Sequence, residues 1–186
     1  MANISMLEAG LICHPATPPF MADHIDVQIE ARENGRMRVS YLLICDAYSL
    51  MLPEVDEPTR SDGLWQTTCF ELFVRRPDGE AYFEYNFSPS TEWQVYRFSG
   101  YRSGMAEEML HCPKITCDFS ETHFALNVEL ALPHGWHDGP YRLGLSAVID
   151  EADGSKSYWA LAHPPGKPDF HHKDCFALQL EALSAP

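Results

Sequence analysis

Positive charge is scarce in this sequence: 13 lysine and arginine residues stand against 27 aspartate and glutamate residues, for a formal net charge of -14. Because phosphate backbones and anionic lipid headgroups repel such a chain, we expect neither nucleic acid nor a membrane surface as a partner. The first twenty residues have no basic leader and no apolar run long enough for a signal peptide or a membrane span. The expected location is therefore the cytoplasm.

Cysteine spacings typical of metal sites and redox motifs are also missing. The chain has no CxxC pair, and its six cysteines are scattered at Cys13, Cys45, Cys69, Cys112, Cys117 and Cys175. We expect reduced, mostly buried thiols rather than a disulfide framework. Cys112 and Cys117 are the pair to check, because a bend between them would bring them together.

Helical periodicity is absent as well, since no window of a dozen residues repeats apolar positions at the helical period, and only Met105 to His111 offers a helical turn or two. Apolar and polar residues instead alternate over short segments. Residues 25–30 and 37–43 alternate in this way on either side of Asn34-Gly35, which predicts a hairpin. Asp153-Gly154 predicts a second hairpin.

Short segments with this alternation predict strands along most of the chain. They lie at about 25–30, 37–43, 69–75, 81–87, 93–98, 114–119, 123–132, 142–150, 156–162 and 175–181. About ten strands with short connections and little helix predict an all-β protein, an antiparallel two-layer β-sandwich with a jelly-roll-like form. We expect residues 1–186 to form a single domain with its core at about 20–182 and with loosely attached termini, up to about Pro19 and after about Leu183.

The segment from Trp65 to Met105, rich in aromatic and charged residues, is the most informative part of the chain. Its central hairpin turns at Pro77, Asp78 and Gly79. One register places six large apolar side chains on a single face, which must be the core: Phe70, Leu72 and Val74 opposite Phe87, Tyr85 and Phe83. The other face then carries Cys69, Glu71, Phe73, Arg75, Tyr82, Glu84 and Asn86.

That second face has two interpretations. If a neighbouring loop covers it, it becomes a polar pocket with aromatic walls, and its buried carboxylates need partners such as Arg97 or Arg102. If nothing covers it, it is the solvated outer face of the sandwich.

Several stretches resemble the bacterial DOMON-like proteins: TCFELF, YFEYNFSP, EWQVYRF and YRSGM in this segment, and YWALAHPPGKPDFHHKDCFALQL from Tyr158 to Leu180. That group belongs with the DOMON domains and the family 9 carbohydrate-binding modules, and the resemblance spans about residues 20 to 182. It implies a β-sandwich that binds a sugar or haem. In the sugar-binding relatives two loop tryptophans clamp a sugar, and Trp65 and Trp159 are the nearest candidates here.

The residues and the resemblance together predict a binding site for a small polar ligand, preferably a carbohydrate or a sugar derivative. The expected site residues are Trp65, Glu71, Tyr82, Glu84, Asn86, Arg97, Arg102 and Trp159. Aromatic faces suit sugars because the axial C–H groups are weakly apolar while the hydroxyls reach polar neighbours. A protein partner on the same concave face is one alternative.

Haem is the other alternative that the resemblance implies, because haem-binding DOMON domains hold iron between a Met and a His or a Met and a Lys. Met105, His163 and His171 are weak candidates without such a spacing, so we expect no cofactor. His171, His172 and Asp174 would bind a metal ion only in a loop conformation, since adjacent strand residues point to opposite faces. We expect no metal ion either.

Enzyme signatures are missing. The sequence has no GxSxG elbow, no GxGxxG after a strand, no P-loop and no HExxH. Glu71 and Glu84 offer the two carboxylates that a glycosidase needs, but any hairpin with two inward acids offers the same pair. The sequence therefore favours a binding domain without catalysis.

Overall fold

The structure, a computed structural model, describes residues 4–32, 35–137 and 139–182. Its strands are β1 (Ile4–Cys13), β2 (Ala22–Arg32), β3 (Arg36–Cys45), β4 (Cys69–Arg75), β5 (Tyr82–Phe87), β6 (Trp93–Phe98), β7 (Ala106–Glu107), β8 (Lys114–Phe119), β9 (His123–Ala131), β10 (Tyr141–Asp150), β11 (Lys156–Ala160) and β12 (Leu178–Leu180). Single 3-10 turns lie at Ala47–Ser49, Leu64–Gln66 and Lys173–Cys175. Within the described ranges, no helix is long and apolar enough to cross a membrane.

The strands form one curled antiparallel sheet whose two halves pack face to face. One half has the order β7-β6-β5-β4-β10-β11, with β12 beside β10, and the other has the order β1-β2-β3-β9-β8. Strand β1 belongs to both, because residues 4–11 pair with β2 whereas Ile12 and Cys13 pair with β11. The core fills the space between the halves. The predicted all-β antiparallel sandwich is confirmed.

The register of the central hairpin is the one that its hydrophobic pattern predicts. Its cross-strand pairs are Phe70 with Phe87, Leu72 with Tyr85 and Val74 with Phe83. All six side chains are buried in the core between the two halves. Strand β4 also pairs with β10 and β5 with β6, so the opposite face of the hairpin belongs to a broad outer surface of this half.

Two local predictions are wrong. The N-terminus is not loosely attached, because β1 pairs with β2 from Ile4 opposite Arg32 to Leu11 opposite Ile25. Its outward side chains include apolar ones, Ile4 being 52% exposed, so the polar and apolar alternation that marks a strand is weak there. Within the segment 105–111, Ala106 and Glu107 pair with β6 as a short strand rather than forming a helical turn. Residues 183–186 lie outside the described residues.

Both predicted hairpins are present. Arg32 at the end of β2 pairs with Arg36 at the start of β3; Asn34 of the predicted turn lies outside the described residues, and Gly35 has a left-handed φ of 68°. Strands β10 and β11 form the second hairpin, with Gly154 at a φ of 84° in its turn. Only glycine adopts such angles without a steric penalty.

The six cysteines, all within the described residues, are free thiols. Cys45, Cys69 and Cys175 are buried, but Cys112 and Cys117 are exposed, and no disulfide joins them. The prediction of reduced cysteines agrees with this arrangement, whereas the prediction of burial fails for the exposed pair, which lies at the edge strand β8 and the connection before it.

Glu151, just after β10, anchors the segment that leads into β2. Its carboxylate is 1% exposed and accepts hydrogen bonds from the backbone N–H groups of Phe20 at 2.7 Å, Met21 at 2.5 Å and Ala22 at 2.9 Å. Because a neutral amide accepts more weakly, we expect Glu151→Gln to lower the free energy of unfolding by about 2 kcal/mol. Urea denaturation measures this effect. The exposed control Glu121→Gln should change the same free energy by less than about 0.5 kcal/mol, and equal effects would contradict the anchoring role.

Candidate functional site

The outer face of β4, β5 and β6 is covered rather than solvated. Glu71 is 3% exposed, Glu84 6% and Asn86 0%. A second apolar cluster packs on this face, with Phe73, Tyr82, Tyr96, Phe98, Val148, Ala160, Phe170 and Phe176 as its buried members. Two of these rings come from the connection between β11 and β12, residues 161–177, which we call the covering segment. The interpretation as an open outer face of the sandwich is therefore wrong.

A cavity of about 370 Å³ lies between this face and the covering segment. It is lined by Trp65, Glu71, Glu84, Phe98, Arg102, Met105, Val148, Tyr158, Pro168, Phe170 and His171. Apolar and aromatic walls with a few convergent polar groups are typical of small-molecule sites, and the volume is within the range of such pockets.

Two buried carboxyl groups form the polar part of the cavity wall. The Ser146 hydroxyl on β10 donates to Oε2 of Glu71 at 2.9 Å, and Nδ2 of Asn86 donates to Oε1 of Glu84 at 2.8 Å. Burial raises the pKa of Glu71 to about 8, with a further contribution from the charge of Glu84, and burial raises the pKa of Glu84 to about 7. The pair therefore retains protons near neutral pH and presents both hydrogen-bond donors and acceptors.

Arg102 is the cationic side chain on the cavity wall, and it is held by Asp169 of the covering segment. Nη2 and Nε of Arg102 lie 2.7 and 3.2 Å from Oδ1 of Asp169, and the Tyr101 hydroxyl donates to Oδ2 at 2.5 Å. Burial opposes ionisation of Asp169, but the hydrogen bonds from Tyr101 and Arg102 together outweigh it and lower the pKa of Asp169. This ion pair ties the 99–104 loop to the covering segment.

His171 closes the cavity from the covering segment. Its Nδ1 is 2.7 Å from the Tyr82 hydroxyl oxygen, and its Nε2 is 3.6 Å from Oε2 of Glu84. The backbone N–H of Arg102 donates to the same Tyr82 oxygen at 3.2 Å, so the Tyr82 hydrogen is free for His171. Burial, assisted by the charge of Arg102, lowers the pKa of His171 to about 4, and the ring is therefore neutral at neutral pH.

The structure brings some of the predicted site residues together and separates others. Trp65, Glu71, Glu84 and Arg102 line the cavity. Tyr82 and Asn86 lie just behind the wall, where they contact His171 and Glu84. Trp65 is 39% exposed at the rim and packs edge-on against Tyr96.

The predicted clamp between Trp65 and Trp159 is wrong. The Trp159 side chain is 3% exposed and lies in the core between the two halves, where its Nε1 donates to the Ser157 hydroxyl at 2.9 Å. Side chains alternate along a strand, so the neighbouring Tyr158 faces the cavity instead.

Arg97 is misplaced for the same reason. Phe98 lines the cavity, and Arg97 before it therefore points to the other face of β6, where its Nε lies 3.8 Å from Oε2 of Glu108. The side chain is 59% exposed and does not reach the buried carboxyl groups. Arg97 is thus removed from the predicted site.

Five wall residues were not predicted: Phe98, Val148, Tyr158, Pro168 and Phe170. The first three lie on strands, and the alternation that placed Glu71 and Glu84 on the outer face would have found them. Pro168 and Phe170 come from the covering segment, which has no periodicity to show which side chains turn inward.

Of the three weak candidates for metal ligands, two lie at the cavity and one lies elsewhere. Met105 and His171 line the cavity, whereas His163 lies near β1 with its Nε2 2.7 Å from the carbonyl oxygen of Ile12. In the described parts of the chain, no group of three or more His, Cys, Asp or Glu side chains is placed to hold a metal ion. The absence of a cofactor stays a prediction.

No protein-family model and no curated protein matches the sequence. Among solved structures, a protein from Bacteroides uniformis described as a candidate carbohydrate-binding protein has a TM-score of 0.65 and 11% identity, covering 96% of this chain and 87% of its own. A family 9 carbohydrate-binding module from Caldicellulosiruptor kristjanssonii in complex with glucose has a TM-score of 0.44 and 10% identity, covering 84% and 76%. The same kind of module in complex with cellotriose has a TM-score of 0.45 and 9% identity, covering 81% and 75%. The first likeness shows a shared fold.

Proposed function

We propose that this chain is a single-domain, non-catalytic module that binds one small sugar or sugar derivative in the cavity on the outer face of β4, β5 and β6. The observation that carries the proposal is the cavity wall, where aromatic rings surround two buried carboxyl groups. The fold shared with the candidate carbohydrate-binding protein from Bacteroides uniformis supports it, as does the resemblance to the DOMON and family 9 module superfamily.

The chemistry of the wall suits a sugar ring. Trp65 at the rim and Phe98, Tyr158 and Phe170 deeper in the cavity offer apolar surface to the C–H groups of a pyranose. The partly protonated pair of Glu71 and Glu84 offers donors and acceptors to its hydroxyls. The cavity of about 370 Å³ favours a soluble mono- or disaccharide over a polysaccharide, which would need an open groove.

Haem is a weaker candidate. Met105 and His171 both line the cavity, which is the arrangement that the haem alternative requires. Both ring nitrogens of His171 are already engaged, however, Nδ1 with the Tyr82 hydroxyl and Nε2 facing the carboxyl group of Glu84. Iron would have to displace one of these contacts in a buried environment, so we prefer the sugar.

A screen of ligands on the wild type and on Trp65→Ala tests the proposal. Thermal shifts with mono- and disaccharides, sugar nucleotides and muropeptide fragments identify hits, and calorimetry measures their affinity. We expect Trp65→Ala to weaken binding of a hit by about 1 to 3 kcal/mol, because an aromatic platform is lost at the rim.

Tyr48→Ala is the matched control, since Tyr48 is 70% exposed and does not line the cavity. It should leave the affinity unchanged. The proposal fails if the whole panel gives no hit, or if Trp65→Ala binds every hit as tightly as the wild type does.

A further inference from the structure

We propose that the sugar bound in this cavity carries a positively charged amino group, and that this ammonium group lies against Glu71 and Glu84. The inference rests on the proposed function and narrows it to amino sugars with a free amine. It starts from the absence of a lysine or arginine in contact with the two carboxyl groups among the described residues.

In the described parts of the chain, no lysine or arginine contacts the buried carboxyl pair. Burial raises the pKa of both groups, and the charge of Arg102 across the cavity lowers it by less than burial raises it. Among the ion pairs of the described residues, Glu84 contacts only the neutral ring of His171, and Glu71 contacts none. The side chains that donate hydrogen bonds to them, Ser146 and Asn86, are neutral. Buried carboxylates are normally paired with a cation, because an unpaired charge away from water is costly. A ligand ammonium would supply the missing partner.

The groups that surround the pair do not supply a contacting cation. The charge of Arg102 acts on both carboxyl groups, but its guanidinium is bound to Asp169 at 2.7 Å and both pKa values stay raised. Other titratable side chains on this face are Cys69 on β4, Tyr82 on β5, Tyr96 on β6, Tyr158 on β11 and His171 of the covering segment, while the guanidinium carbon of Arg75 on β4 lies 5.0 Å from the centroid of the Phe176 ring. Burial raises the pKa of Cys69, Tyr82 and Tyr96 and lowers the pKa of His171, so all four are neutral at pH 7.

The aromatic part of the wall fits a cation as well as it fits a sugar. Trp65, Phe98, Tyr158 and Phe170 line the same cavity as the carboxyl groups. A cation near aromatic faces gains electrostatic energy that grows as water is excluded. An ammonium group also has three donors and no acceptor, which matches two neighbouring carboxylates. An N-acetylated or neutral sugar leaves the carboxyl pair protonated and gains no charge-assisted hydrogen bond from it.

The affinity for an ammonium ligand should rise with pH through the pKa values of the carboxyl pair. An ammonium ligand stabilises the ionised carboxyl groups, whose pKa values are about 8 for Glu71 and about 7 for Glu84 in the absence of ligand. Below these values the ligand must displace protons, so its affinity falls as the pH falls and protons are released on binding. A neutral sugar needs no such release.

Calorimetry with matched sugars tests the inference on the intact chain. The probes are glucosamine, galactosamine and mannosamine, each with its neutral and its N-acetylated counterpart. At pH 7 we expect at least one amino sugar to bind about tenfold or more tightly than both of its counterparts, as the replacement of a charged partner requires. Because both carboxyl groups must lose a proton, its affinity should fall by about fiftyfold between pH 7 and pH 6, and buffers of different ionisation enthalpy should report proton release.

Glu84→Gln should abolish the preference for the amine, whereas the exposed control Glu121→Gln should retain it. If the neutral or N-acetylated sugars bind as tightly as the amines, the inference is overturned and the carbohydrate proposal stands. If no sugar binds at any pH, both are overturned. Retention of the preference in Glu84→Gln and Glu71→Gln would also overturn the inference.

Discussion

Raising the pH from about 5 to about 8 should lower the free energy of unfolding through Glu71 and Glu84. Burial raises their pKa values in the folded protein to about 8 and about 7, above the ordinary value of 4.5. Both groups therefore bind protons more tightly when the chain is folded. Their contribution to stability is fully present below the unfolded pKa and is lost as the pH rises through the folded values.

The expected size of this effect is large for a protein of this length. One pKa unit corresponds to about 1.36 kcal/mol, so the shift of Glu84 alone amounts to about 3 kcal/mol. Urea denaturation at a series of pH values measures it in the wild type and in Glu84→Gln and Glu71→Gln. The difference between variant and wild type isolates the pair, because His171, whose pKa burial lowers to about 4, contributes the opposite slope below about pH 6.5 in all three proteins.

Each Gln variant should have a flatter profile and a higher free energy of unfolding than the wild type at pH 8. Glu121→Gln, which changes an exposed carboxyl group, should follow the wild-type profile. Parallel profiles for all the proteins would mean that Glu71 and Glu84 are ionised and hydrated in the folded state. That result would also remove the expected release of protons when an amino sugar binds.

Two buried carboxyl groups that contact no lysine or arginine among the described residues are a cost to stability that the fold alone does not explain. Ser146, Asn86 and the ring of His171 reduce this cost without supplying a charge. Positions at which local stability is sacrificed are commonly functional ones. The ligand-free protein is then expected to be least stable in the pH range where it binds an amino sugar most tightly, since both effects depend on the same ionised groups.

The sequence predicts the part of the site that lies on regular strands better than the part that lies on loops. In β4 and β5 one register buries six large apolar side chains in the core, and Glu71 and Glu84 then lie on the outer face together with Phe73 and Tyr82. Strand β1 escaped prediction because apolar residues such as Ile4 and Met6 point outward. The covering segment could not be predicted to cover the site, because its apolar residues have no regular spacing and its contacts are with residues distant in sequence.

The prediction for Trp159 is wrong for a different reason. The sequence predicts strand β11, but the side of the sheet to which each of its side chains points follows only from the pairing with β10. Tyr158, the neighbour of Trp159, pairs across the sheet with Val148, which in turn pairs with Cys69 on the face that carries Glu71. Following this chain of pairs places Tyr158 in the cavity and Trp159 in the core. The resemblance points to Trp159 by its position in the motif, whereas the residue that lines the cavity is Tyr158.

Truncating Trp159 should therefore damage the fold and not the site. The indole is 3% exposed among core side chains, so Trp159→Ala leaves a large cavity and should lower the free energy of unfolding by about 3 to 5 kcal/mol. Trp159→Phe keeps an aromatic ring and should lose less, although the hydrogen bond to Ser157 is removed. Urea denaturation followed by circular dichroism measures both variants.

Comparing Trp159→Ala with Trp65→Ala distinguishes a core residue from a residue of the binding site. Trp65 is 39% exposed at the rim, so its removal should change the free energy of unfolding by less than about 1 kcal/mol while weakening ligand binding. Trp159→Ala, or Trp159→Phe where the alanine variant fails to fold, should bind a ligand with wild-type affinity at a temperature at which it is folded. Weakened binding in a folded, stable Trp159 variant would mean that Trp159 contacts the ligand and that its side chain does not lie in the core.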